Sequence, residues 1–450
     1  MLDIQKRLTG SFYTLLSLPA TAMGFALCVQ IAALSWILNT KYGFDPHEVG
    51  IVWAAGPLAG IIGQVLIGVI SDNVWFWNGR RRPFILIGGT IAALMLLALP
   101  NLDIINDALG LDSILGIAIT VALSLDLAIN ISFNPTRSII ADVTPAGELR
   151  TKGYTWMQTI SGFFGVLAYL IGAFISNYTL IYTGAALVLV FSILPTFYIT
   201  EPRELSSEES EDHEAPTEGE IRKADEYVES SSLSRSNETD LPEFLKVCFA
   251  HAFTWLGVQT MFVYSFFYIK EIIMGFDTAT ELSSEQNDEI GFITGVAFAV
   301  LNTIGFILPA TLLQPLTQLI GRVRTHMLCI AVMAGGYVLL LFFGASMTGF
   351  FLCMAVVGIG WAAVVSLPFA IMSETVDQRR MGFYMGLFNL SVVLPQLVAS
   401  TLGGFIGSQD KTMIYIISAV ALAISAVLWL LVREQTVSSD AELSTGGGGH

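Results

Sequence analysis

Twelve apolar runs, each long enough to cross a bilayer, divide the sequence into alternating greasy and polar stretches. They lie near 12–38, 48–70, 83–100, 113–134, 153–176, 178–199, 244–269, 289–313, 326–344, 349–372, 382–407 and 412–432. A helix needs about 20 apolar residues to cross the hydrocarbon layer. Within that layer every backbone N–H and C=O must be satisfied internally, so runs of this kind become helices. The mean hydropathy of +0.68 and the 13% charged residues exclude a water-soluble globule. The fold class is therefore an all-α membrane protein with twelve transmembrane helices. Lys6 and Arg7 precede a long first run with no clear small-residue cleavage site, so the first run reads as a retained span.

The basic residues orient the bundle. With both termini cytoplasmic, 18 of the 21 Lys and Arg fall on the cytoplasmic side, and only Lys41, Lys270 and Lys411 fall outside. Residues 201–240 hold 14 Asp and Glu against 4 Lys and Arg, a net of −10 out of the chain's −16. This acidic, apolar-poor stretch reads as a disordered cytoplasmic linker between spans six and seven. The chain thus divides into a six-helix half at 1–200, the linker at 201–240, a second six-helix half at 241–433 and a tail at 434–450. The tail ends in STGGGGH, which has the look of an appended linker and tag. Cys28, Cys248, Cys329 and Cys353 sit in four different runs. They read as buried small hydrophobes, with neither a disulfide nor a metal site.

The two halves echo each other. NGRRRPF follows span two and IGRVRTH follows span eight, so Gly79-Arg80-Arg81-Arg82 and Gly321-Arg322-Val323-Arg324 hold corresponding places. After spans four and ten, Pro135, Asp142, Arg150 and Gly153 match Pro368, Glu374, Arg379 and Gly382 in order. Parallel six-span repeats place a substrate site near the midplane between the halves.

The stretch SDNVWFWNGRRRPF resembles the cytoplasmic loop of the sucrose-type sugar–proton symporters, which belong to the glycoside–pentoside–hexuronide group of the major facilitator superfamily. Asp126, Asn130, Pro135, Arg137 and Asp142 fall where that family carries its Asp, Asn, Pro, Arg and Asp. Gly358 through Pro368 (GIGWAAVVSLP) and residues 385–400 (MGLFNLSVVLPQLVAS) extend the resemblance across all twelve spans. At the end of span seven this chain has Tyr264 and Phe266 where plant members carry acidic residues, followed by Lys270-Glu271 in place of an Arg-Glu pair. The resemblance implies the major facilitator fold and symport of a sucrose- or maltose-type disaccharide with a proton. It implies that Asp126 accepts the proton and that Arg137 is needed for transport.

The residues supply their own argument for Asp126. A carboxylate at bilayer depth costs roughly 2.5–3.5 kcal/mol even on forgiving insertion scales. At about 100° per residue, Asn130, Asn134 and Arg137 lie within about 80° of Asp126 on a helix otherwise apolar. Such a stripe faces the bundle interior or a water-filled cavity. Arg137 is roughly 16 Å farther along the axis, too far to neutralise Asp126, and Pro135 between them can kink the helix. Desolvation then penalises the charged carboxylate, as suits a group that takes and releases a proton.

Sugar hydroxyls call for amide and carboxylate partners, and the apolar sugar face for aromatics. The candidate substrate-binding residues are Asp126, Asn130, Gln30, Gln64, Trp53, Tyr154, Gln158, His251, Trp255, Gln259, Asn302 and Asn389. His251, Trp255 and Gln259 share one side of span seven. Charges at cytoplasmic span ends form a candidate inner gate: Asp72, Arg80, Arg81, Arg82, Asp142, Glu374 and Arg379.

The expected partners are a small sugar, the proton and the lipid bilayer, with no nucleic acid. The chain is read as a monomer of the cell membrane (plasma or bacterial inner). The expected cofactor is none, the proton being the coupling ion. Two rivals stay open: a sodium-coupled carrier of the melibiose type, and a transporter-like sensor signalling through the acidic linker. The sequence has no HExxH, no GxSxG and no paired carboxylates within one span, which argues against an enzyme.

Overall fold

The computed structural model describes residues 8–60, 74–144, 148–201, 239–376 and 381–434. Among them, ten helices are long and apolar enough to cross a membrane, and the 17-residue helix Met413–Trp429 is a shorter apolar one. The second run continues past residue 60, outside the described residues, and so does nearly all of the acidic stretch.

The first half of the chain begins with α1 (Gly10–Thr40), capped by Thr9, and α2 (Pro46–Trp53), opened by a capping box between Asp45 and Glu48. The third span is α3 (Arg82–Ala98), a tight turn at Leu99–Asn101, and α4 (Leu102–Leu109), which Gly110 ends in a left-handed conformation. It therefore runs to Leu109, beyond the boundary that hydropathy suggests. The fourth span, α5 (Ile114–Val143), is helical straight through Pro135. Next come α6 (Glu148–Phe174) and α7 (Asn177–Tyr198).

The second half opens with α8 (Leu241–Tyr268), which widens into a π turn at Ile269–Ile273. In α9 (Ser284–Leu308) a capping box of Ser283 and Gln286 starts the helix in polar sequence, ahead of its apolar run. A second π turn at Pro309–Leu313 leads into α10 (Gln314–Ile320). There follow α11 (Arg322–Phe343), α12 (Met347–Ser373), α13 (Met381–Thr401), the short α14 (Gly403–Gly407) and α15 (Met413–Trp429).

One apolar core runs through both halves, from Val29 and Trp36 on α1 and Leu125 on α5 to Phe262 on α8 and Ile293 and Phe298 on α9. The three cations that the charge rule places outside gather at one end, here called the outer end, where each finds a partner. Lys41 pairs with Asp103 at 3.0 Å, Lys411 pairs with Glu271 at 3.1 Å, and Lys270 bonds to Asn39 at 2.9 Å.

Candidate functional site

Asp126 lies midway along α5 and is only 7% exposed. Gln30, from α1, donates from Nε2 to Asp126 Oδ2 at 2.9 Å. Asn130 turns its amide onto the backbone carbonyl of Asp126 at 2.8 Å. The stripe continues through the half-buried Asn134 to Arg137, which is exposed, its guanidinium 4.1 Å from the Phe133 ring centroid. A guanidinium facing hydrocarbon is costly, so the exposed end of this stripe belongs to a wet space. Tyr154, from α6, donates to the Arg137 carbonyl at 3.2 Å. Asp126, Gln30 and Asn130 therefore form one cluster, with Arg137 and Tyr154 toward the inner end.

A second cluster is aromatic. Asn302 on α9 accepts from Trp361 Nε1 at 3.3 Å and donates to the Phe298 carbonyl at 2.9 Å. Tyr169 on α6 packs on Phe298 of α9 with ring centroids 5.8 Å apart, carrying this cluster into the first half. Trp361 stands edge-on to Phe262 and Trp255, with ring centroids 5.3 and 6.2 Å away. His251 is buried, accepts at Nε2 from Trp255 Nε1 at 2.9 Å and stacks on Phe388 at 4.9 Å. The one-sided spacing read in span seven thus brings His251 and Trp255 onto each other.

The remaining described candidates are Trp53, Gln259, Asn389 and Gln158. Trp53 donates from Nε1 to Ser35 Oγ at 2.9 Å, and Ser35 donates to the Val263 carbonyl at 2.9 Å, so Trp53 sits beside a contact between the halves at the outer end. Gln259 is buried on α8, Asn389 is half-buried on α13, and Gln158 is exposed on α6. Gln64, Asp72 and Arg379 lie outside the described residues.

Several bonds join the two halves at the outer end. Besides Ser35 and Val263, Trp36 Nε1 donates to the Asn287 carbonyl at 3.1 Å. Lys270 is 2% exposed, and its ammonium donates to Asn39 Oδ1 and to the carbonyls of Thr278 and Thr280 at 2.9, 2.7 and 3.0 Å. Its three N–H groups are all used. Glu271, its sequence neighbour, pairs instead with Lys411 and Thr278.

At the inner end the ion pairs described lie within one half. Asp142 Oδ2 accepts from Arg80 at 3.3 Å and Arg81 at 3.1 Å. Glu201 accepts from the backbone N–H groups of Arg80, Arg81 and Arg82 at 2.8, 2.8 and 2.7 Å. The second half repeats the plan. Arg322 pairs with Glu374, and Glu434 accepts from the backbone N–H groups of Arg322 and Val323 at 2.6 and 2.9 Å. Sequence reasoning passed over Glu201 and Glu434. A signal was present, since each follows the last apolar run of its half by a few residues.

The comparisons agree with this plan. The sequence matches the Major Facilitator Superfamily over residues 16–311 and 281–447. It is similar to a general alpha-glucoside permease of Schizosaccharomyces pombe, 26% identical over 261 residues, 54% of this chain and 47% of the permease. The chain spans about half the length of that relative. It is similar to the sucrose transport protein SUT5 of Oryza sativa subsp. indica, 25% identical over 464 residues, 90% of this chain and 84% of the relative. The sucrose-type resemblance carried by GRRRPF and the fourth span is matched by these relatives.

Among solved structures, the nucleoside transporter NupG superposes with a TM-score of 0.66 at 12% identity, covering 94% of this chain and 100% of that one. The inward open xylose transporter XylE from E. coli gives 0.65 at 16% identity, covering 95% and 97%. At those identities the likeness concerns the fold. A match along most of the chain, joined to a bundle of long apolar helices in this arrangement, makes this multi-pass membrane protein a member of the Major Facilitator Superfamily.

Proposed function

We propose that the protein is a secondary transporter that takes up a sucrose- or maltose-type glucoside together with a proton, with Asp126 carrying the proton. The observation that carries this reading is the buried Asp126 carboxyl, bonded to Gln30 and heading a polar stripe that ends at the exposed Arg137. A carboxyl deep in an apolar bundle is a functional group by default. Here it sits on one helix with amides and a cation leading away along the same face. The alpha-glucoside and sucrose names of the relatives supply the substrate class. The aromatic surface of Trp361, Trp255 and Phe262, with the Asn302 amide, suits a solute that has both an apolar face and hydroxyls.

In this reading the structure is the state with its outer end closed. Proton and sugar bind from outside and the halves rock. The direction follows from how differently the two states hold the ligands. Asp142, Glu374 and the inner arginines stiffen each half at its cytoplasmic face, with both termini on that side.

The test is uptake of radiolabelled sucrose and maltose into proteoliposomes. An inward proton gradient should drive accumulation that a protonophore abolishes, and an inward sodium gradient alone should drive none. Accumulation that follows sodium would replace this reading with the melibiose-type rival. Uptake of neither sugar would reject the substrate class.

A further inference from the structure

The Asp126 carboxyl touches a second helix besides α1. The backbone at Gly56, in the helical stretch 55–60 that follows α2, lies against its face. A methyl group at Gly56 would stand 3.0 Å from Oδ2, 3.2 Å from Cγ and 3.4 Å from Oδ1. All three distances are tighter than, or at the limit of, ordinary van der Waals contact, so the missing Cβ is what lets the carboxyl lie flat there. Six residues earlier, Gly50 faces the second half. A methyl there would stand 2.2 Å from the Ser400 carbonyl oxygen and 2.5 Å from the Tyr264 hydroxyl. Only a bare backbone permits this approach. Gly50 and Gly56 are separated by roughly 9 Å of helical rise. One short segment therefore seals the outer end with Gly50 and lines the buried carboxyl with Gly56.

We propose that Gly56 is a positioning residue for the Asp126 carboxyl, and that the segment Gly50–Gly56 ties this carboxyl to closure of the outer end. The inference rests on the reading of Asp126 as the proton carrier. With the outer end closed, the carboxyl is held between Gly56 and the Gln30 amide. When Gly50 parts from Ser400, Gly56 moves with it and one face of the carboxyl is uncovered to water and sugar.

Most titratable groups on the packed neighbours are engaged elsewhere, and Asp107 on α4 is exposed. On α1, Cys28 lies beside Gly165 of α6 and Tyr13 donates to the Leu149 carbonyl. On α2, Glu48 closes the capping box and His47 lies beside Gly404. Arg82 at the start of α3 donates to the Asn78 carbonyl, and Asp103 on α4 pairs with Lys41. On α6, Tyr154 bonds to the Arg137 carbonyl and Lys152 lies over Tyr13. On its own helix, Arg137 packs on Phe133 and Asp142 pairs with Arg80 and Arg81.

The test uses the full chain in proteoliposomes and the pH profile of sucrose and maltose counterflow. Gly116→Ala is the control, because Gly116 lies on the Asp126 helix with nothing within 4 Å of an added methyl. Gly116→Ala should keep the wild-type profile. Gly56→Ala should shift the midpoint by about half a pH unit or more, roughly threefold in proton affinity. In an Asp126→Ser background, which shortens the side chain, Gly56→Ala should leave counterflow unchanged. Should Gly56→Ala fail to accumulate, Gly56→Ala with Asp126→Ser should accumulate as well as Asp126→Ser alone. A wild-type profile in Gly56→Ala, or a defect of the same size with and without the carboxyl, would overturn the inference. A wild type that carries neither sugar would instead reject the proposed function, and with it the coupling inferred here.

Discussion

The two ends of the molecule are held by different chemistry. At the outer end, besides the ion pairs Lys41–Asp103 and Lys411–Glu271 within each half, bonds run between the halves, and most are single, neutral contacts to backbone carbonyls: Ser35 to Val263 and Trp36 to Asn287. At the inner end, carboxylates and arginines bond within a half, as in Asp142 with Arg80 and Arg81, and Glu201 with three consecutive backbone N–H groups. A neutral hydrogen bond contributes about 0.5–1.5 kcal/mol net, one to a charged group about 1.5–3 kcal/mol. Weak links between bodies and strong links within them describe two stiff units on a reversible joint. A ligand that prefers one state by a few kcal/mol can then move the joint without softening either unit. Lys270 breaks the pattern, being a buried charge that joins the halves, and so it should weigh most in the outer closure.

The contrast can be broken most severely at Glu201. Replacing Glu201 with Ala strands three N–H groups that share one buried carboxylate. The expected loss is about 3 kcal/mol or more, read as a fall of roughly 3 °C or more in apparent Tm for a chain of this length. A wild-type Tm would show that water replaces the carboxylate at little cost.

Lys270→Met comes next. It leaves Asn39 Oδ1 and the Thr278 and Thr280 carbonyls without their donor, so it should favour the outward-open state about tenfold or more. A cysteine at Ser400, buried against Gly50 in the closed state, should then react with external maleimide about tenfold faster, while Tm falls less than in Glu201→Ala. Unchanged labelling would remove Lys270 from the closure.

Arg322→Ala should have a smaller effect, since the pair with Glu374 is part-exposed and Glu434 bonds to the backbone rather than to the guanidinium. A cost below about 1 kcal/mol is expected. Asp103→Asn, which removes an exposed partner of Lys41, should fall within about 0.5 kcal/mol by the same measurement.

Much of this was legible in the residues. Runs of apolar residues at helix length can do little else in a bilayer, so the bundle follows from hydropathy, and a lone carboxyl within such a run stands out. His251 and Trp255, four apart on one helix, were readable as neighbours for the same periodic reason. Contacts between spans were less legible. The chain has 41 glycines, and nothing in the sequence marks Gly56 as the one against Asp126. Glu201 and Glu434 share a place just after the last apolar run of each half, but their backbone partners lie far away in sequence and are set only by folding. Trp53 reads as a sugar-facing aromatic, and in the structure its indole N–H is taken up by Ser35 of α1. Helical period orders residues within a span, whereas partners across spans depend on packing.

The central claim concerns Asp126, and the most direct measurement is sugar-evoked proton uptake in de-energised vesicles, wild type beside Asp126→Asn. Wild-type vesicles should alkalinise the medium on addition of sucrose or maltose. Asp126→Asn should be silent while still exchanging sugar by counterflow. Proton uptake with sugar in Asp126→Asn would contradict the account and leave Asp126 a structural or substrate-binding residue.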